Sequence, residues 1–340
     1  MPVGPVRFYD LTDAVPVGGS IVRESGDVMF ESYAQNGEDV VLWRTLGHVP
    51  AGRWIDVGAN DPDTDSVTRI FSDAGWTGIN IEPMEPVFTN LCDRRPNDVN
   101  LRIALEDCEG ERQYFAVGEG RSLSTSDPLA AERYQRSGLS VDGVVVPVRT
   151  LASVWDEFVD GEVHFLKIDV EGAEAKVLSG ADFARHRPWV VVVESIESVN
   201  MEEVAEFDLG SRPIPASRHT EWEHSLVQNG YRFVLFDGLN RFYVAREHDE
   251  QLGLRLEAPV NVLDRSISAS ARQIMVRLED HLRQIDRDRH VLAGRLDTAL
   301  AERAQFRAEL DALQNSLAWR FTAPLRWIRR LLRGRQTRRL

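Results

Sequence analysis

The chain has 340 residues, enough for one to three folding units, with 43% hydrophobic residues and a net charge of −14. The charge is uneven: Trp319 to Leu340 holds eight arginines and no acid, so the preceding 318 residues carry −22 and are ill-suited to grip nucleic acid. Cys92 and Cys108 fit neither a metal spacing nor a disulfide framework, and no secretory leader or membrane-long apolar run is read, so a cytoplasmic protein is expected.

Residues 1–29, rich in proline and glycine, read as a loose lead-in. Glu38 to Leu46 has helical spacing at Val41, Leu42 and Leu46. Strands are expected at 53–57, 78–82, 99–104, 163–168, 189–194, 231–236 and 241–245, with helical stretches between most of the first five. This is the βαβ pattern of a doubly wound α/β sheet, Rossmann-like. The last two strands flank Asp237-Gly238-Leu239-Asn240, a hairpin signal, so the sheet is expected to end in an antiparallel hairpin. Asn240 reads as a structural turn residue of type I′ geometry. Residues 247–270 read as a linker.

From 271 to 317 the pattern changes. Fourteen positions in strict four-three spacing hold twelve apolar residues, with Arg289 and Arg303 as exceptions. That predicts a coiled coil and a homo-oligomer. Residues 318–340 mix tryptophan, phenylalanine and leucine with arginine. Such a basic amphipathic tail suits an anionic membrane surface, reached peripherally from the cytoplasmic side.

Chemistry concentrates at the strand ends. Asp56 leads into Gly58-Ala59-Asn60, and Glu82 ends the next apolar run 26 positions later. An acid at the second strand end can take two hydrogen bonds from ribose. A carboxylate beside the first turn suits a cationic ligand head. A dinucleotide fingerprint needs three glycines, and only Gly58 is present, followed by Asp61, Asp63 and Asp65. The run therefore favours S-adenosylmethionine, which has no phosphate. Asp169 ends a fourth strand, with a helix expected to open at Glu171, and Glu194 ends the strand beside it. Asp169 and Glu194 could face the reacting centre or hold a divalent metal such as magnesium. His219, before an expected helix, is the first candidate for a general base.

The ordered motifs resemble one family. They are Gln35-Asn36-Gly37-Glu38-Asp39, Asp56-Val57-Gly58-Ala59-Asn60, Gly75-Trp76-Thr77-Gly78, Ile81-Glu82-Pro83, Val148-Arg149-Thr150-Leu151, Lys167 to Glu174, and Asp237 to Val244. Across 30–246 the chain resembles the FkbM family of S-adenosylmethionine-dependent methyltransferases. The resemblance implies a class I methyltransferase fold and O-methylation, often of sugars, glycolipids or polyketides. It places Asp56, Gly58 and Asn60 at the methionine end, Glu82 on ribose, Ala104, Leu105 and Glu106 beside adenine, and Asp169 at the reacting centre. Asn60-Asp61-Pro62, Leu123-Ser124-Thr125 and His219 to Glu223 resemble members encoded with surface-polysaccharide enzymes. Many members have Asn-x-Gly where this chain has Asn60-Asp61-Pro62. A non-catalytic scaffold that organises polysaccharide enzymes through the coil is the rival expectation.

Overall fold

The structure, a computed structural model, describes residues 21–24, 27–118, 124–196, 218–316 and 320–336. The chain divides into two units, residues 1–271 and 272–340. The expected lead-in lies partly outside the described residues. Its described part holds β1 (Ile21–Glu24) and the start of β2 (Asp27–Ser32).

After helix α1 (Glu38–Leu46) the chain alternates β3 (Arg53–Val57), α2 (Arg69–Asp73), β4 (Thr77–Ile81), α3 (Glu85–Arg94) and β5 (Val99–Leu101). There follow β6 (Ala104–Leu105), β7 (Gly110–Val117), α4 (Pro128–Arg136), β8 (Val141–Arg149) and α5 (Leu151–Phe158). The alternation resumes with β9 (Phe165–Ile168), α6 (Glu174–Ser179), β10 (Val190–Glu194) and α7 (Glu223–Gln228). It closes with β11 (Tyr231–Phe236), β12 (Asn240–Ala245), α8 (Arg246–Leu256) and β13 (Ser266–Ser268). Local chemistry marks the helix starts. Asp127 caps α4 by accepting from the Leu129 N–H at 2.9 Å, with Pro128 in the first turn, and Thr150 caps α5 through Ser153.

The main sheet has the order β11-β12-β10-β9-β3-β4-β5. The strands from β10 to β5 are parallel, and β12 runs antiparallel to both β10 and β11. Both faces are covered. Ile55, Ile79, Leu166 and Val191 pack towards α5, α6 and α7, and Trp54, Phe165, Val192 and Phe242 towards α1, α2 and α8. Each fully buried aliphatic side chain of this kind contributes about 1.5–3 kcal/mol. A charged residue in the same rows therefore needs a partner.

Four expectations are corrected. The third strand stops at Leu101, and Ala104–Leu105 pair instead with β8 in a second sheet, β6-β8-β7. The stretch 247–270 is not a linker: Leu252 and Leu256 of α8 are buried against the main sheet, and β13 pairs with β2. The helix after β9 opens at Glu174, because Glu171 and Gly172 take left-handed φ values of 53° and 100° in a turn. In the hairpin the left-handed residue is Gly238, φ 103°, which leaves Asn240 as the first residue of β12.

In the second unit, helix α9 (Ala269–Asn315), which begins at the end of the first, runs 47 residues, about 70 Å. None of its residues is buried, and seam residues such as Leu282, Leu292 and Leu310 are exposed. The last seam position, Leu317, and Trp319 lie outside the described residues. Helix α10 (Ala323–Gln336) follows. No helix of the described residues is long and apolar enough to cross a membrane.

Candidate active site

Strand register assembles the site. Asp56 stands opposite Asn80 and Lys167, Lys167 opposite Val192, and Glu194 opposite Asn240. Side chains two apart share a face. Two residues beyond Asn80, Asp56 and Lys167, the same face therefore presents Glu82, Gly58, Asp169, Glu194 and Asn240 in one line along the carboxyl ends of the strands. Ligands of doubly wound sheets bind outside those ends.

Gly58 is required by geometry. Its φ is 79°, and a Cβ there would stand 1.8 Å from the Asp169 carbonyl oxygen. The N–H groups of Gly58 and Ala59 both donate to the Ile81 carbonyl, at 3.0 and 3.1 Å. Glu82 then ties the two loops together: Oε2 accepts from the Asn60 N–H at 3.2 Å and Oε1 from the Met84 N–H at 2.8 Å. Asn60 itself is left-handed, with φ 48°. Burial raises the Glu82 carboxyl to about 7, against the two N–H donors that favour its charge.

Beneath the line lies a buried ion cluster. Lys167 Nζ donates to Asp169 Oδ2 at 3.2 Å and stands 3.5 Å from both Asp56 Oδ1 and the Gly58 carbonyl oxygen. Burial works against the Lys167 charge, yet Asp169 and Asp56 hold its pKa above the usual lysine range. Burial raises the Asp56 carboxyl, opposed by Lys167. Asp56 Oδ1 is buried and accepts no hydrogen bond, the lysine being too distant for a good one. Glu194 is pushed far up, first by burial and then by the neighbouring Asp169 and Glu171 carboxylates. Two carboxyl groups so close cannot both ionise readily.

At the far end, Asn240 Nδ2 donates to Glu38 Oε1 at 2.6 Å, and Glu38 Oε2 accepts from the Asn36 N–H at 2.9 Å. Burial raises Glu38 to about 7. Asp39 is structural: it accepts from Ser32 Oγ and from the N–H groups of Tyr33, Ala34 and Val40.

The expected site residues divide. Register brings Gly58, Glu82, Asp169 and Glu194 into the line, with Asp56 below and Asn60 bonded to Glu82. Ala104 is buried in one cluster with Met84, two residues beyond Glu82, and Leu105 is buried in the main core. Glu106 forms a separate node, 3.5 Å from Lys176 and 3.6 Å from Arg112, accepting from Tyr114 OH at 3.4 Å. His219 begins a single 3-10 turn, and its Nε2 lies 4.0 Å from Glu223 Oε2. Glu223 accepts from Arg241 and Tyr243, residues of the opposite sheet face. Among the described residues the one group of three possible metal ligands is Glu106, Asp107 and Cys108, away from the Asp169–Glu194 pair.

Three contributors escaped the sequence reading: Lys167, Glu38 and the outward role of Asn240. The signals for the first are a lone lysine inside the run His164 to Ile168 and its place at the head of the motif Lys167 to Glu174. A cavity of about 20 Å³ opens near the end of α4. Asp127, Ala130, Arg133 and Tyr134 of α4 face Glu171, Gly172, Ile196 and Arg218 across it. Glu171 and Ile196 each lie two residues beyond Asp169 and Glu194.

The family model described as the methyltransferase FkbM domain matches residues 56–233, just over half of the chain. Among solved structures, the fibrillarin pre-rRNA processing protein of Methanococcus jannaschii is 12% identical, over 71% of this chain and 86% of that one, with a TM-score of 0.30. No curated protein matches. The chain belongs to the FkbM methyltransferase family.

Proposed function

We propose that this chain is an S-adenosylmethionine-dependent O-methyltransferase whose acceptor is a saccharide hydroxyl, in surface polysaccharide or glycolipid synthesis. The observation that carries the reading is the in-register line Glu82–Gly58–Asp169–Glu194–Asn240, with Lys167 and Asp56 beneath it. The residues suit the cofactor. Asp56, buried beside Lys167, puts a carboxylate beneath the first turn, and Glu82 at the end of the next strand supports a ribose acceptor. The loop lacks the glycines that a pyrophosphate needs, and Asp61 instead accepts from the Asp63 and Thr64 N–H groups at 2.8 Å.

When bound, S-adenosylmethionine supplies an electrophilic methyl group on a positively charged sulfur. Asp56, Gly58 and Asn60 would hold its methionine end, Glu82 its ribose, and Ala104 to Glu106 the adenine side. Asp169 is placed to take the proton of the acceptor hydroxyl. Lys167 fixes one of its oxygens, and the Asp169 carboxylate helps push the neighbouring Glu194 carboxyl far up. The Lys167 ammonium supplies beside Asp169 the positive charge that a metal would otherwise bring, so catalysis should survive chelation. The surface-polysaccharide motifs of the sequence support a saccharide acceptor.

The test is methyl transfer from labelled S-adenosylmethionine into the surface glycan fraction of the source cells. Asp169→Asn should lower turnover by about 10²–10⁴-fold, the usual contribution of a general base, with cofactor affinity kept. Turnover retained in Asp169→Asn but lost in His219→Ala would move the base to His219. Absence of transfer with intact cofactor binding would favour the scaffold instead.

A further inference from the structure

We infer that α10 and the residues just before it form a docking surface for an anionic lipid membrane, on which the helix lies parallel to the bilayer plane. The inference does not depend on the reaction proposed above. At 3.6 residues per turn, Leu325, Trp327 and Ile328 fall within one arc of about 160°, with Arg326, Arg329 and Arg330 opposite. Phe321, Leu325 and Trp327 are each about two-thirds exposed or more, and Ile328 about half. Solvent-facing tryptophan, isoleucine and leucine on one side of a short helix are costly without an apolar partner.

Charge selects the partner. The final 22 residues hold eight arginines and no acid, in a chain whose other residues carry −22. A second copy of the acidic body would satisfy the arginines, but the apolar side chains it exposes, such as Leu129, Val145 and Leu254, stand on separate elements. Nucleic acid would likewise leave the tryptophan and leucine side wet. A leaflet containing anionic lipid satisfies both: phosphate meets guanidinium at headgroup level, and the apolar arc sinks into the acyl boundary. The helix has 14 residues, about 21 Å long, and a membrane-spanning helix needs about 20 apolar residues. An in-plane arrangement is the one that fits.

The experiment is co-sedimentation of the full-length protein with vesicles of phosphatidylcholine, with and without phosphatidylglycerol. The protein should pellet with the mixed vesicles and stay in solution with phosphatidylcholine alone. Two variants separate the components. Trp327→Ser with Ile328→Ser removes apolar surface, and Arg326→Gln with Arg329→Gln and Arg330→Gln removes charge. Each should weaken binding at least tenfold, and binding should fall as salt rises. These positions lie outside the first unit, so cofactor binding should be unchanged and reports that the first unit is intact. Failure of the wild type to pellet with the mixed vesicles would overturn the inference. So would binding indifferent to the Trp327/Ile328 change, since that is charge adsorption without insertion.

Discussion

Glu82 shows how a single side chain links loop geometry to proton balance. Its folded pKa, about 7, lies above the ordinary carboxyl value of 4.5 because burial penalises the charge. Between those values the folded protein keeps a proton that the unfolded chain has lost. The group's contribution to stability therefore falls as pH rises through that window. Glu38 behaves alike, and Asp39 does so between 3.8 and about 6. Ribose donors and a cationic sulfur favour the carboxylate, so cofactor binding should expel the proton. Titration calorimetry at pH 6, in two buffers of different ionisation heat, should detect up to about one proton released by Glu82, a release that Glu82→Gln abolishes. Identical proton counts in both proteins would remove Glu82 from the binding surface. Asp56, Glu82 and Asp169 were legible in the sequence because each ends an apolar run. Glu38 was not, because its partner Asn240 stands 202 residues away.

At the scale of elements, legibility followed how plainly each segment shows its burial. The strands of the main sheet are buried on both faces and read as apolar runs. Strands β7 and β8 were missed. Gly110 to Gln113 are exposed, and Gly143 and Pro147 interrupt the valines of β8. Pro147 is tolerated in a middle strand because β6 pairs only with Val148 and Arg149. Helix α8 passed for a linker because only Leu252, Gly253 and Leu256 of its eleven residues are buried. Helix α9 was legible by its heptads, but a helix seam does not name what covers it. We propose that a second or third copy does, through a coiled coil. Light scattering should then give a dimer or trimer, and Leu282→Asp with Leu296→Asp should give a monomer that still binds cofactor. A monomeric wild type would reject the coil.

The whole molecule joins a family-defined catalytic unit to a long helix and a basic tail, and only the first has a counterpart in the matched family model. All functional readings of that unit depend on the acid line being a cofactor surface. Two charge-assisted hydrogen bonds from ribose to Glu82 would each contribute about 1.5–3 kcal/mol. The most direct measurement is a calorimetric titration of S-adenosylmethionine into the wild type and into Glu82→Ala. One site per chain should appear, with affinity at least tenfold weaker in the variant. Wild-type protein that takes up no cofactor, or a variant that binds equally well, would contradict the assignment of this surface.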